Sequence, residues 1–552
     1  MIFKHIGLKS KVLLVVDCDV DGFTSSSLMY RWLAENFPEL VIEYWIHSEK
    51  QHGFDDDLME YLTQSGQIFD LIIMPDAGTN DVKQQEILAA MGYDIVIADH
   101  HEWEGKSCES ENVIIVNNQM SEYYPNKEAS GVGVAWQLLR CISKTLHSGS
   151  DLMEYLDIVA LGEVSDMMQG TTPENRFIFE YGLSHIQNEF FQTFVRKQCF
   201  SLFGISADKW SDSYFTNGKL TQVGVAFYIT PYINALIRVG TQEAKTLMFQ
   251  AMCGIPSYIT HKDNRTDAEQ CFYDCSAAKR LQDKLKNEAV EQLSIQITNN
   301  CLENNKILIL NGDELDVPNT LTGLCAMGIA AKYKKPTLLG RTNDGYIKGS
   351  FRGREDSELK DLKAFLSSSA LIDYALGHAN AGGWSLRTKF INALTNYAND
   401  KLADVDFGEG FYDVDFVFGA QEDAKISDCV YDLENYKKIW GQGCKQPILA
   451  INNLTIDGSD ISVIGKNADT LKFTCGKVTY IKFKAKDLCE KLSGRTGKIS
   501  LNIVGKTNVN EFMGKTTPQV IIDDLEELNP LSQEEQDLRD DFKTSYADLY
   551  SF

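Results

Sequence analysis

No two cysteines in this chain are spaced as CxxC. The 13 cysteines are scattered and odd in number, and the closest pair is Cys271 and Cys275. That excludes a disulfide framework and a zinc ribbon and points to reduced thiols. No run approaches the ~18–20 apolar residues of a membrane span. The start carries Lys4, His5 and Lys9, and the apolar run Val12–Val16 stops at Asp17, which is not the pattern of a secretory signal. A cytoplasmic location away from membranes is expected. Basic residues are the minority: 53 Lys and Arg stand against 78 Asp and Glu, for a net charge of -25. Counterion release on long nucleic acid needs clustered cations, so indiscriminate binding to it is excluded. A local basic groove remains open, and so does a gathering of carboxylates around metal ions. Repeats and low-complexity tracts are also lacking. What is present is globular, with 43% hydrophobic and 24% charged residues in 552, enough chain for three or four domains.

Strand-like and helix-like runs alternate at the start. Lys11–Val16, Val41–Ile46, Asp70–Met74 and Asp94–Ala98 read as strands, and Phe23–Asn36, Asp55–Gln64 and Asp81–Met91 as helices. This order implies βαβ units and a parallel sheet. Ligands of such sheets bind beyond the carboxyl ends of the strands. Those ends carry Asp17, Asp76 and Asp99, so their carboxylates should converge. Mostly helical sequence follows from Gly131 to about Phe200. The stretch 260–300 has helical spacing and reads as a connector. A second α/β segment begins at Lys306 and includes Leu321–Tyr333, Pro336–Leu339 and Asn380–Ala393. From Gly408 to about Leu525 short strands and turns are expected. The acidic stretch Glu526–Asp548 reads as a helix or a mobile tail.

Asp17-Cys18-Asp19-Val20-Asp21-Gly22 leaves a strand and enters a helix. Alternating aspartates repel one another unless cations neutralise them, and hard oxygen ligands suit Mg²⁺ or Mn²⁺. A calcium loop is set aside because its twelfth position is Leu28, where Glu is required. Pro75-Asp76-Ala77-Gly78 alone reads as a capped βα turn. Asp99-His100-His101 places an adjacent pair, in a chain with only nine histidines, after a strand. Imidazole favours Mn²⁺ over Ca²⁺. The segment Leu161–Asp166 supplies a further carboxylate. Together Asp19, Asp21, Asp76, His100 and Asp166, with Asp17 and His101 alongside, fit a two-metal site. Its ions would lie ~3.5–4 Å apart, bridged by Asp76, and clamp an in-line attack of water on phosphorus. Three other motifs fail. Gly131-Val132-Gly133 lacks its third glycine, at Trp136. Gly505-Lys506-Thr507 and Gly514-Lys515-Thr516 lack the upstream glycine, at Ser500 and Val509, so no ATP use is expected.

These motifs, in this order, resemble the DHH phosphoesterase superfamily. Tyr124–Trp136, Leu161–Arg176, Pro231–Arg238, Thr322–Lys332, Lys348–Gly353 and Leu376–Gly383 are similar to segments of the RecJ single-strand-specific exonucleases. So are Trp440–Pro447, Ile464–Phe473 and Val504–Ile522. The resemblance implies an α/β fold in parts. These are a parallel-sheet DHH domain (1–258), a helical connector (259–302), a smaller α/β DHHA1 domain (303–404), an OB-like nucleic-acid-binding β-barrel (405–525) and an acidic tail (526–552). Departures from the pattern point to a divergent phage or bacterial member. Tyr232 stands for the usual Arg, Ile237 for a Gly, Ala77 for an Asn, and Asn319–Gly323 for the run at the start of the DHHA1 core.

The resemblance further implies a metal-dependent 5′→3′ exonuclease that degrades single-stranded DNA to mononucleotides, in repair or recombination. Two divalent ions, Mn²⁺ or Mg²⁺, would lie on Asp17, Asp19, Asp21, Asp76, His100 and Asp166. Asn234 and Arg238 would line one side of a DNA groove and Ser350 and Arg352 the other, with Gly377 and His378 at the phosphate. His101, His378 and Arg352 would be catalytic. Without the resemblance, Arg352 reads as a surface residue on a turn, and His378 equally as a capping or core histidine. The region 447–522 has 11 Lys and Arg against six Asp and Glu. In it Phe473, Tyr480, Phe483 and Phe512 are interspersed with Lys472, Lys477, Lys482, Lys484 and Lys515. These are candidates to stack bases, with core packing as the alternative. A monomer is expected, with a helicase or single-strand-binding protein as candidate partner. Two rival readings are a phosphodiesterase of short oligoribonucleotides or cyclic dinucleotides, and a non-catalytic DNA-binding replication scaffold.

Overall fold

The computed structural model describes residues 1–48, 51–146, 152–354, 357–407, 412–420, 422–512 and 515–528. The part of the acidic tail from 529 onward lies outside them. The chain forms two compact units, Met1–Phe411 with Lys438–Cys444, and Tyr412–Lys437 with Lys445–Phe552. Among the described residues no helix is long and apolar enough to cross a membrane.

The first unit opens with β1 (Lys11–Val16), β2 (Val41–Ile46), β3 (Leu71–Pro75), β4 (Asp94–Asp99) and β5 (Val113–Asn117). All pair in parallel, in the order β2-β1-β3-β4-β5. Side chains alternate across a strand. Val12, Leu14 and Val16 of β1 therefore join the core under the helix Val20–Asn36 and its neighbours, while Leu13 and Val15 join a second core on the other face. Both faces of the inner strands β1, β3 and β4 are covered, which is why these read as continuous apolar runs. The strand order reverses between β1 and β3. A crevice opens at such a switch point, beyond the carboxyl ends of the strands.

The helix Asp267–Asn299 runs for 33 residues. Its start is fixed by a capping box: the Thr266 side chain accepts from the Glu269 N–H and the Glu269 carboxylate from the Thr266 N–H. Cys271, Cys275 and Ala278 pack into the first sheet's core, and Ala289, Leu293 and Ile297 into that of a second sheet. The second sheet contains β6 (Leu308–Asn311), β7 (Thr337–Asn343), β8 (Tyr346–Arg352), β9 (Ile372–His378) and β10 (Ala381–Arg387). Its order is β6-β7-β8-β10-β9, antiparallel except for β6 and β7.

The second unit is a seven-stranded sheet of β11 (Phe416–Gly419), β12 (Ile448–Asp457), β13 (Ser462–Ile464), β14 (Thr470–Cys475), β15 (Val478–Lys482), β16 (Lys498–Phe512) and β17 (Lys515–Glu527). Most pairs are antiparallel, and β11–β12 and β15–β17 are parallel. This region is not strands and turns alone. The helix Asp423–Glu434 buries Ile426 and Val430 in the sheet's core. Phe473 and Tyr480 also belong to that core, stacked on each other at 5.1 Å and 2% and 0% exposed, so they are not available to stack bases. Phe483 is 56% exposed, between the partly exposed Lys482 and the exposed Lys484. The side chain of Phe512 lies outside the described residues.

Candidate active site

The carboxyl edge of the first sheet collects acid groups. Asp19 caps the helix Val20–Asn36, its carboxylate accepting the Gly22 N–H at 3.0 Å. Asp21, in the first turn of that helix, lies against the start of the helix Gly131–Leu146. It accepts from Ser130 Oγ at 3.0 Å, the Gly131 N–H at 2.6 Å and the Val132 N–H at 3.1 Å. Asp76 follows β3 with φ 68, a left-handed conformation that aspartate tolerates better than most residues. Glycines make room for these groups. A Cβ on Gly131 would stand 2.3 Å from Asp76 Oδ1, one on Gly22 2.5 Å from Asp17 Cβ, and one on Gly162 2.8 Å from Asp21 Oδ1.

His100 Nε2 faces this group. It lies 3.2 Å from Asp76 Oδ1, 3.5 Å from Asp166 Oδ2 and 3.9 Å from Asp21 Oδ2. Asp17, Asp19 and Asp76 form an adjoining set whose ligand atoms lie within 4.8 Å of one another. Asp76 takes part in both. The six residues Asp17, Asp19, Asp21, Asp76, His100 and Asp166 are thus brought together. Asp99 has a different place. Its oxygens accept from the Thr79, His100 and His101 N–H groups and lie 2.8 Å from His101 Nδ1, so it orients the histidine pair.

The electrostatics are those of crowded, buried acids. Burial, then the charge of Asp19, pushes Asp21 up to about 6. Burial and the neighbouring aspartates hold Asp76 and Asp166 well above the usual carboxylate range. Burial and the neighbouring His101 lower His100 to about 4, which leaves a neutral ring able to ligate. For His101 burial opposes the charged form, but the Asp99 carboxylate prevails and raises it to about 9. Asp76 Oδ1 is buried without a hydrogen-bond partner. Carboxylate oxygens and one imidazole around that atom fit Mg²⁺ or Mn²⁺, whose charge would relieve both desolvation and repulsion.

Cationic groups face this cluster from both sheets, Arg238 from a helix of the first sheet's core and Arg352 from the second sheet. Arg238, on the helix Thr230–Val239, lies near enough to Asp19 to feel its charge, though burial lowers its pKa. Asn234 is one turn earlier on that helix. Arg352, at the end of β8, is also mostly buried and is further lowered by Arg238. A Cβ on Gly323 would stand 2.5 Å from the Arg352 guanidinium and 3.5 Å from Ser350 Oγ, so these three are neighbours. Two desolvated guanidiniums close enough to repel call for an anion. His378, at the end of β9, is exposed, and its charge acts on His100. Gly377 before it has φ 112, and a Cβ there would meet Ala381 O at 2.7 Å. Tyr232 lies away from these groups, stacked on Phe272 at 6.3 Å.

Sequence reasoning missed Ser130 and Gly131 as holders of Asp21, and Glu163 behind them. Glu163 is 0% exposed and accepts the Ser130 N–H at 3.2 Å. The closely spaced glycines of Ser130–Gly133 were the available signal. It missed His52 as well, whose Nδ1 is 2.7 Å from Asp17 Oδ2.

Comparison with known proteins identifies the family. Residues 11–163 match the DHH family N-terminal domain, and residues 423–524 match the RecJ OB domain. A putative single-strand DNA-specific exonuclease, YorK, of Bacillus phage SPbeta is 31% identical over 97% of this chain and 90% of its own length. The chain belongs to the RecJ-type single-strand DNA-specific exonuclease family. RecJ of Bacillus subtilis (strain 168) is 22% identical over 94% of this chain, which spans 62% of that protein's length. RecJ from Thermus thermophilus, solved in complex with Mn²⁺, shares the fold with a TM-score of 0.71 and 19% identity. The match covers 96% of this chain and 71% of that one.

Proposed function

We propose that this RecJ-type protein is a metal-dependent exonuclease that degrades single-stranded DNA 5′→3′ to mononucleotides. The observation that carries the reading is His100 Nε2 within 3.9 Å of three carboxylates, Asp21, Asp76 and Asp166, with no cationic side chain among these four groups. Manganese and DNA specificity appear in the names of relatives, and this chain has the residues for both. Asp19, Asp21, Asp76, His100 and Asp166, with Asp17, would hold a pair of divalent ions, and Asp76 would be the residue common to both. When bound, the ions supply charge for the phosphate and an acidified water as nucleophile.

The remaining roles belong to the chain. The three donors on Asp21 keep its carboxylate from turning. Arg238 and Arg352 neutralise the phosphate and hold the strand in register. Ser350 and Asn234 donate beside them, and the positive φ of Gly377 lets the backbone approach closely. His378 donates to the scissile phosphate. Asp99 holds the proton of His101 Nδ1 inward, so that Nε2 can deliver a proton to the leaving oxygen. A helicase or single-strand-binding protein would supply the strand.

The test uses single strands labelled at the 5′ or the 3′ end, with Mn²⁺, Mg²⁺ or EDTA. Early release of a 5′-labelled mononucleotide is expected, and a long 3′-labelled remainder, both lost in EDTA. Early release from the 3′ label would overturn the polarity. Hydrolysis confined to dinucleotides would favour a small-substrate phosphodiesterase.

A further inference from the structure

Cys18 and His52 have no part in the scheme above. Cys18 stands between Asp17 and Asp19, partly exposed, and the His52 side chain is 47% exposed. Cys18 Sγ lies 3.6 Å from His52 Nε2 and 3.7 Å from Nδ1, and His52 Nδ1 lies 2.7 Å from Asp17 Oδ2. One ligand atom from each of the three residues falls within 4.8 Å of the others. Zinc bonds of ~2.3 Å to sulfur and ~2.0–2.1 Å to nitrogen, at a tetrahedral angle, separate the two ligands by roughly 3.6 Å. The thiol stands at about that distance from both ring nitrogens, so the ring must turn to aim one of them at a shared ion. The imidazole and carboxylate are closer and must open by roughly 0.7 Å, which rotation of the half-exposed ring provides. The donors differ in kind from those of the neighbouring centre. Thiolate and imidazole select soft or borderline ions, whereas oxygen ligands select Mg²⁺ and Mn²⁺.

We propose that Asp17, Cys18 and His52 form a separate site for a thiophilic divalent ion, Zn²⁺ foremost, with water completing the tetrahedron on the exposed side. Asp17 is common to this set and to the set with Asp19 and Asp76. An ion on the thiol side draws Asp17 away, so Zn²⁺ inhibits; this last step rests on the function proposed above. The cluster then makes the enzyme's activity depend on the ratio of zinc to manganese or magnesium.

The first experiment reads binding and not turnover. Metal-free full-length protein is titrated with Co²⁺ in the presence of excess Mg²⁺, and the thiolate-to-cobalt charge-transfer band is followed. The wild type should develop the band and Cys18→Ser should not. His52→Gln, a change on an exposed ring, should weaken Co²⁺ and Zn²⁺ by at least about tenfold. A band that persists in Cys18→Ser, or unchanged affinity in His52→Gln, assigns the ion to other cysteines and overturns the site. The second experiment titrates Zn²⁺ into the Mn²⁺-supported reaction. Cys18→Ser should resist inhibition. Equal inhibition of both proteins would put the zinc on the carboxylate centre and overturn the competition, whatever the spectrum shows.

Discussion

The two banks of the site are built on opposite plans. On the first sheet, Asp21 and Asp76 are each 2% exposed or less and locked by backbone donors, a left-handed turn and three glycines. On the second, Ser350 and Arg352 lie partly open along β8, and His378 is exposed at a hairpin end. The acid bank is tightly packed and electrostatically frustrated, because its buried carboxylates repel one another. The basic bank is more open to solvent. On the function proposed above, metal ligands tolerate little error in position, whereas a group that binds a phosphate at the surface can be more open.

The largest effect should separate the banks. Asp76→Asn keeps the left-handed backbone but removes the shared charge. Turnover should fall by at least ~10³-fold, about 4 kcal/mol in the transition state, while the metal-free protein melts higher than wild type. Wild-type turnover in saturating Mn²⁺ would remove Asp76 from the centre. Next comes the pH dependence of the acid bank. Asp21 titrates at about 6 in the fold, against ~4 unfolded. An acid raised in this way stabilises the fold fully below its unfolded value, and that contribution is lost as pH rises through the folded one. Metal-free protein should therefore lose about 2–3 kcal/mol of this contribution between about pH 4 and pH 7, and Mn²⁺ should restore it. A melting temperature that ignores Mn²⁺ at neutral pH would refute the frustration.

The basic bank should respond more mildly. Arg352→Ala removes a charge-assisted phosphate contact of ~1.5–3 kcal/mol, one to two decades in kcat/KM. Calorimetric Mn²⁺ affinity should be unchanged; its loss would merge the two banks. The smallest effect is expected in the second unit. Phe483→Ala should weaken long single strands by ~1–3 kcal/mol and leave melting unaltered. Phe473→Ala, from the core, should instead cost ~3–5 kcal/mol of stability. Matching stability losses in both would make Phe483 a packing residue too.

Much of the acid bank was legible because parallel strands announce themselves as apolar runs and their ends are where ligands bind. Asp17, Asp76 and the Asp99–His101 motif could be placed from that rule alone. Asp99 was legible in position but not in role, since only the fold shows its oxygens turned toward backbone N–H groups. Strand β5 went unread because it is an edge with only Asn117 buried. The helix Asp423–Glu434 hid in a region dominated by strand-like composition. Arg238 and Arg352 are 114 positions apart in the sequence, and no local pattern reveals that they repel each other; only the family resemblance pointed to them. Phe473 and Phe483 show the same limit, since a basic, aromatic-rich stretch does not say which rings face inward.

The long helix Asp267–Asn299 is rooted at one end in the core beneath the carboxylates and at the other in the core behind β7, so it works as a shaft between them. Each residue of an α-helix turns it by ~100° and advances it by ~1.5 Å. Adding one residue near its middle would twist one sheet against the other and carry Arg352 out of phase with the aspartates, with every side chain of the site intact. Adding seven would nearly restore the phase yet part the banks by ~10 Å. On the proposed function, the spacing between the acidic cluster and Arg352 is set by the length of this helix as much as by the residues themselves.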